Sequence, residues 1–258
     1  MILNGSFYHF KNIGETKLQK MKERGILTWE DARRCPEEIP LSPHKREEFF
    51  LEMDEVESAC LESDLAYLVN RIHPKDKWRI LADEFDRASF FDIETDGYYN
   101  RITTISLYHK SRLYSFTRNE NLEDFLDVLE DVKLLVSFNG ASFDLPVVVQ
   151  NYHLKDFPAP HLDLRWISYH SGFRGGLKSI EKQLRIKRPA DLEGVDGLEA
   201  ISLWIRWIEW KDSESLAKLI RYCSADVISL VVLSERLINR QIKSHIQIDE
   251  EELWSLVL

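Results

Sequence analysis

The chain has 258 residues, with 34 Lys and Arg against 44 Asp and Glu, a formal net charge of −10. Hydrophobic residues make up 44%, including 13 Phe, 9 Tyr and 7 Trp, which is ample for a core, and 10 Gly with 8 Pro exclude collagen-like and low-complexity chains. The acidic balance weighs against a protein that coats nucleic acid through a basic surface, but not against an enzyme that needs carboxylates for metal ions and only a local basic track for phosphates. No apolar run approaches the about 20 residues of a membrane span, and Met1-Ile-Leu-Asn-Gly-Ser6 lacks the charged and apolar regions of a secretory leader, so no membrane association is expected. Cys35, Cys60 and Cys223 are odd in number and without zinc-type spacing, which reads as structural thiols in a reducing cytoplasm.

In chain order, residues 1–75 read as a helical unit. A Gly14 turn leads into one short helix. Gly25 leads to a second, with Thr28 as N-cap and Asp31 three residues on, in a capping-box arrangement. Three prolines among residues 36–43 mark a connector, and residues 45–69 carry apolar side chains at helical spacing (Phe49, Met53, Val56, Ala59). His73-Pro-Lys-Asp-Lys-Trp78 is the expected boundary, with a second unit over 76–258.

That second unit opens with a strand over 89–95 and a hairpin over 101–108 and 112–117, rich in β-branched and aromatic residues. A helix over 122–129, a buried strand over 134–138, a helix over 142–149 capped by Ser142, and a short strand over 161–165 follow. Helices over 177–184, 197–210 and 213–239 close the pattern, and Asp249-Glu-Glu-Glu252 reads as a solvated helix start. The order predicts an α/β fold, a mixed sheet with an early antiparallel hairpin flanked by helices. Trp204, Trp207 and Trp210 fall on one helical face and read as packing. The histidines show no metal-ligand spacing.

The chemistry lies in acids set among apolar residues. On a strand, Asp92 and Glu94 project to one face while Phe91 and Ile93 take the other. Two adjacent carboxylates repel, and a divalent cation would relieve both the repulsion and the desolvation. D-x-E is a common pattern, and taken alone the pair fits better a strand end with both acids in solvent. Asp144 follows the apolar strand and the Asn139-Gly140 turn, where it faces the sheet end, complements a helix N-terminus, or does both. Asp226 lies mid-helix one turn after Tyr222, on the same face.

Taken together, these segments resemble the DnaQ-like exonucleases, the DEDD superfamily with a ribonuclease-H-like fold. Phe91-Asp-Ile-Glu-Thr95 resembles the first motif, Asn139-Gly-Ala-Ser-Phe-Asp144 the second, and Tyr222-Cys-Ser-Ala-Asp226 the third in its tyrosine form (DEDDy); the histidine form would need His where Arg221 stands. The YprB-type branch is the nearest likeness. Asp163 in His161-Leu-Asp-Leu-Arg165 and Gly176-Leu-Lys-Ser-Ile-Glu181 resemble further elements of it. The N-terminal unit resembles a helix-hairpin-helix, with one glycine in Asn12-Ile-Gly14 where backbone-binding hairpins usually have two.

The resemblance implies removal of nucleotides from the 3′ end of single-stranded DNA or RNA with two Mg²⁺ or Mn²⁺ ions. It implies Asp92, Glu94, Asp144 and Asp226 as metal ligands and Tyr222 as the residue that orients water. Thr95, Asn139, Phe143 and Lys178 are the expected substrate contacts. Asp163 is expected to support the site rather than ligate a metal. Arg174, Lys178, Arg185, Lys187 and Arg188 form a basic stretch that either guides phosphates or is a solvated face. A structure-selective or RNase-H-type endonuclease and a non-catalytic nucleic-acid scaffold are the competing readings. A protein partner that delivers substrate is compatible with all three.

Overall fold

The computed structural model describes residues 1–242 and 246–257. It divides into Met1–Phe85 and Asp86–Leu258. In the first unit Gly14 is the N-cap of α1 (Glu15–Glu23), and Gly25, at φ 79°, turns the chain toward α2 (Trp29–Arg34). Thr28 Oγ1 accepts from Asp31 N at 3.2 Å while Asp31 Oδ2 accepts from Thr28 N at 2.9 Å, so the capping box forms as the sequence predicts. The long helical stretch is two helices, α3 (Pro43–Glu62) and α4 (Leu65–Arg71). Ser63, left-handed at φ 56°, ends the first, and Asp64 caps the second by accepting from Tyr67 N at 2.9 Å. Residues after the expected boundary form α5 (Lys77–Glu84), which buries Trp78, Ile80 and Leu81 and contacts α4; the division therefore falls after Phe85. The core of this unit is aromatic, with Phe10 packed edge-on against Phe49 at 4.8 Å and Trp29 at 6.1 Å.

In the second unit β1 (Ser89–Thr95), β2 (Ile102–His109) and β3 (Arg112–Thr117) form an antiparallel meander. After α6 (Asp124–Leu129), β4 (Leu135–Ser137) pairs parallel with β1. α7 (Asp144–Asn151) leads on to β5 (His161–Asp163), parallel to β4, and the sheet order is β3-β2-β1-β4-β5. α8 (Leu164–His170), α9 (Leu177–Leu184), α10 (Gly197–Trp210), α11 (Ser213–Asn239) and α12 (Glu250–Ser255) complete the chain. This is the mixed α/β sheet expected from the sequence. Among the described α-helices, α5 and α8 lie where no helix was predicted. None of the described helices is long and apolar enough to cross a membrane.

The two faces of the sheet differ because alternate residues differ. Phe91 and Ile93, with Ile105, Leu107 and Phe116 beside them, join Phe125 and Leu129 of α6 and Val147 and Val148 of α7 in one apolar core. On the other face Asp92 pairs with Ser106, and Ser106 with Ser115. Those small side chains let α11 lie against β1 and β2, where Ser224 Oγ meets Ser106 Oγ at 3.1 Å and Ser115 Oγ at 3.3 Å. The acid-bearing face of β1 and the middle of α11 are thereby brought together.

Candidate active site

Parity along β1 sends Asp92 and Glu94 toward α11, and α11 returns Asp226 to meet them. A carboxylate oxygen from each lies within 4.8 Å of the others, with Asp92 and Glu94 half-buried and Asp226 buried. These three and Asp144 line one cavity of about 230 Å³, with Phe138, Asn139, Phe143, Leu177 and Tyr222 around it. Asp144 lines the same cavity but is not one of the three acids whose oxygens converge. Of the other expected substrate contacts, Asn139 and Phe143 border the cavity. Lys178 donates to the Tyr222 hydroxyl at 2.6 Å and to Val195 O. Thr95 is not among the cavity's lining residues; it sits at the irregular end of β1, where its hydroxyl accepts from Gly97 N at 3.4 Å.

The loop that presents Asp144 is held from below. Asp163, at the end of β5, accepts from Asn139 N at 2.7 Å and Ala141 N at 3.3 Å, and caps α8 by accepting from Arg165 N at 3.0 Å. Asn139 is left-handed at φ 66°. A Cβ on Gly140 would lie 1.9 Å from Ser137 Oγ and 3.4 Å from Asp144 Oδ2, so only glycine fits there. Ser142 does not cap α7. Phe143 occupies the N-cap position, Asp144 begins the helix, and the Phe143 ring is 38% exposed rather than anchored in the core. The cause is the tight turn at Gly140, whose carbonyl accepts from Phe143 N at 3.3 Å and Leu145 N at 3.0 Å.

The electrostatics are those of an anionic cluster in search of positive charge. Burial raises Asp92 well above the ordinary carboxylate range, and the charges of Asp226, Asp144 and Glu94 add to it. Glu94 is raised well above its ordinary value by burial and Asp226, against the opposing charge of Lys178. Asp144 is pushed up to about 7, again chiefly by burial, although its own and Ile93's backbone N–H groups oppose the shift. The same surroundings raise the Tyr222 phenol and keep it protonated, and burial lowers Lys178.

Sequence reasoning missed one partner. Arg188, in the basic stretch, is not solvated. Its guanidinium reaches Asp226 and also holds Glu181 at 2.6 Å, with all three side chains buried. The chain reverses after α9 at Arg185, left-handed at φ 58°, and so returns Arg188 to the cluster, a path that residue spacing does not encode. Arg185, Lys187 and Arg174 are exposed. Cys223 adds its thiol 3.4 Å from Asp92 O. Trp204 is buried, but Trp210 is 68% exposed, so the tryptophan stripe packs only at one end.

The donor set fits a divalent cation: three hard oxygen ligands converge, and burial with the neighbouring negative charges makes the ionised forms of Asp92 and Glu94 costly unless a cation joins them. The order β3-β2-β1-β4-β5, with acids on the central strand, is that of an RNase H-like fold. The family model of the RNase H superfamily matches residues 89–238, and the chain belongs to that superfamily. Membership supports nuclease-type activity on nucleic acid, and RNase H-like nucleases generally work with divalent metal ions. Among solved structures, the family B DNA polymerase of the hyperthermophilic archaeon Pyrobaculum calidifontis is similar at 16% identity and a TM-score of 0.48. The likeness covers 58% of this chain and 24% of the polymerase, too slight to say what this chain does. No protein of curated function matches the chain.

Proposed function

We propose that the chain is a 3′–5′ exonuclease of single-stranded DNA or RNA, of the DnaQ-like, YprB-type kind, working with two Mg²⁺ or Mn²⁺ ions in the cytoplasm. The observation that carries this reading is Tyr222 on the same cavity as four carboxylates, one helical turn before Asp226. Asp92, Glu94 and Asp226 would hold one ion, and Asp92 with Asp144 the other. When bound, the ions polarise the phosphodiester and lower the pKa of water.

The remaining roles belong to the chain. The raised Tyr222 phenol stays protonated, so it orients a water by hydrogen bonding rather than by taking its proton. Lys178, donating to that hydroxyl and lying 4.4 Å over the ring, fixes the phenol's position. Arg188 holds Asp226 in place and neutralises part of the cluster. The exposed Phe143 ring offers a face for the terminal base, and Asn139 a polar contact. Thr95, buried at the end of β1 and bonded to Gly97 N, would support the strand that carries Asp92 and Glu94 rather than touch substrate.

The test is a time course on 5′-labelled single-stranded DNA and RNA with Mg²⁺, Mn²⁺ or EDTA, alongside Asp92→Ala. A metal-dependent ladder that shortens from the 3′ end and is absent in the variant is the expected result. A single internal cut would favour an endonuclease. Cleavage that persists in EDTA or in Asp92→Ala would overturn the site.

A further inference from the structure

Beside the acid cavity lies a larger groove of about 590 Å³, within the size range of small-ligand pockets, about 300–1,000 Å³. It shares Phe138, Asn139 and Leu177 with the cavity and continues over α8 to Phe173 and Arg174. α8 has an ordinary buried face but an outer face with large aromatic rings. Leu164, Ile167 and Ser168 are buried, but the outward positions carry Trp166, 50% exposed, and Tyr169, 45% exposed. Their rings stand edge to face at 6.0 Å. Large aromatic surface left in water beside a site calls for an occupant.

Cations sit on these rings. The Arg174 guanidinium lies 3.7 Å from the Tyr169 centroid, Arg165 lies 5.9 Å from Trp166, and Arg240 lies 5.1 Å from Phe173. Arg165 also donates to Asn139 Oδ1, which ties the groove to the loop that presents Asp144. A chain of net charge −10 thus gathers guanidinium groups on aromatic faces next to its acidic cavity. Stacking faces for bases alternating with guanidinium groups for phosphates make up the surface that holds a single strand without reading its sequence. A duplex hides its base faces and cannot use it.

We infer that this groove is a single-strand subsite, in which Trp166 and Tyr169 stack the bases adjoining the reacting phosphate and Arg165 and Arg174 bind the intervening phosphates. The inference rests on the proposed nuclease reading for the direction of the strand, but not for its binding.

Two measurements separate the two claims. The first is fluorescence anisotropy in EDTA with labelled oligo(dT) and oligo(U) of about twelve nucleotides, a length within the range of single-strand sites. Trp166→Ala and Tyr169→Ala should each weaken binding about tenfold, and Arg174→Gln should flatten the dependence of affinity on salt. Trp210→Ala, an exposed tryptophan outside the groove, should change nothing. The second is cleavage of the same oligonucleotides against the p-nitrophenyl ester of thymidine 5′-monophosphate, which supplies one nucleotide and no adjoining base to stack on Trp166 or Tyr169. Trp166→Ala should raise KM for the oligonucleotide and leave turnover of the ester unchanged. Oligonucleotide binding that is unaltered in Trp166→Ala and Tyr169→Ala, or absent in the wild type, overturns the groove. Binding lost in those variants without any cleavage by the wild type upholds the groove and sinks the exonuclease.

Discussion

Replacing Asp92 by alanine removes a charge from a place where Glu94, Asp144 and Asp226 already compete, so the fold is expected to survive while turnover falls at least about 10⁴-fold. Tyr222→Phe keeps the ring beneath Lys178 and loses only the hydroxyl; a slowing of about 10²-fold with KM unchanged is expected from steady-state kinetics. Asp144 connects the site to stability. Its carboxyl, ordinarily near 3.8, is pushed up to about 7 in the folded chain. Between those values the native state holds a proton that the unfolded chain has released, so the Asp144 contribution declines as pH rises through that window. Metal-free Asp144→Asn should therefore gain on the wild type by a few degrees at about pH 8 and lose that gain near pH 4, as read by melting curves. A gain that grew toward acid would contradict the assignment. Arg188→Met leaves Glu181 and Asp226 buried without their cation, and urea denaturation should show a loss of about 3–5 kcal/mol. The acids were legible because strand parity and helical spacing set which side chains converge. Arg188 was not, because nothing in its neighbourhood tells a solvated arginine from one that folds back onto a carboxylate.

At the scale of elements, β1, β3, α9, α10 and α11 have the limits that hydrophobic periodicity and turn residues predict, since each pattern is long or sharply bounded. The misreadings lie where a local signal has two outcomes. Ser63-Asp64 reads as tolerable inside a helix, yet one residue ends α3 and the other caps α4. Ser142 reads as a cap, yet the Gly140 turn carries the chain past it. α8 was hidden because its outer face is aromatic and its sequence follows directly from β5. The Gly140 turn offers a test of how tightly these elements set the site. Gly140→Ala must displace Ser137 beside the turn that presents Asp144, and an overpacking cost of about 1–3 kcal/mol with a loss of activity is expected. Ser137→Gly in the same chain should recover part of both, measured by denaturation and by rate.

For the whole molecule, the second unit holds the five-stranded sheet, its apolar core and every residue of the proposed site. Residues 86–258 made alone should fold cooperatively and retain metal-dependent cleavage within about tenfold, as checked by circular dichroism melting and the ladder assay. Loss of cleavage in a folded fragment would assign Met1–Phe85 a part in substrate handling. The order of the site along the chain has a temporal consequence. Synthesis proceeds from the N-terminus, and Cys223, beside Asp226, follows Asp92 by 131 residues. An emerging chain exposes Asp92 and Glu94 long before Tyr222 and Asp226 exist to complete the cavity. If the proposed site is the catalytic one, the chain would stay inert beside the messenger that encodes it and would act on nucleic acid only once α11 had docked.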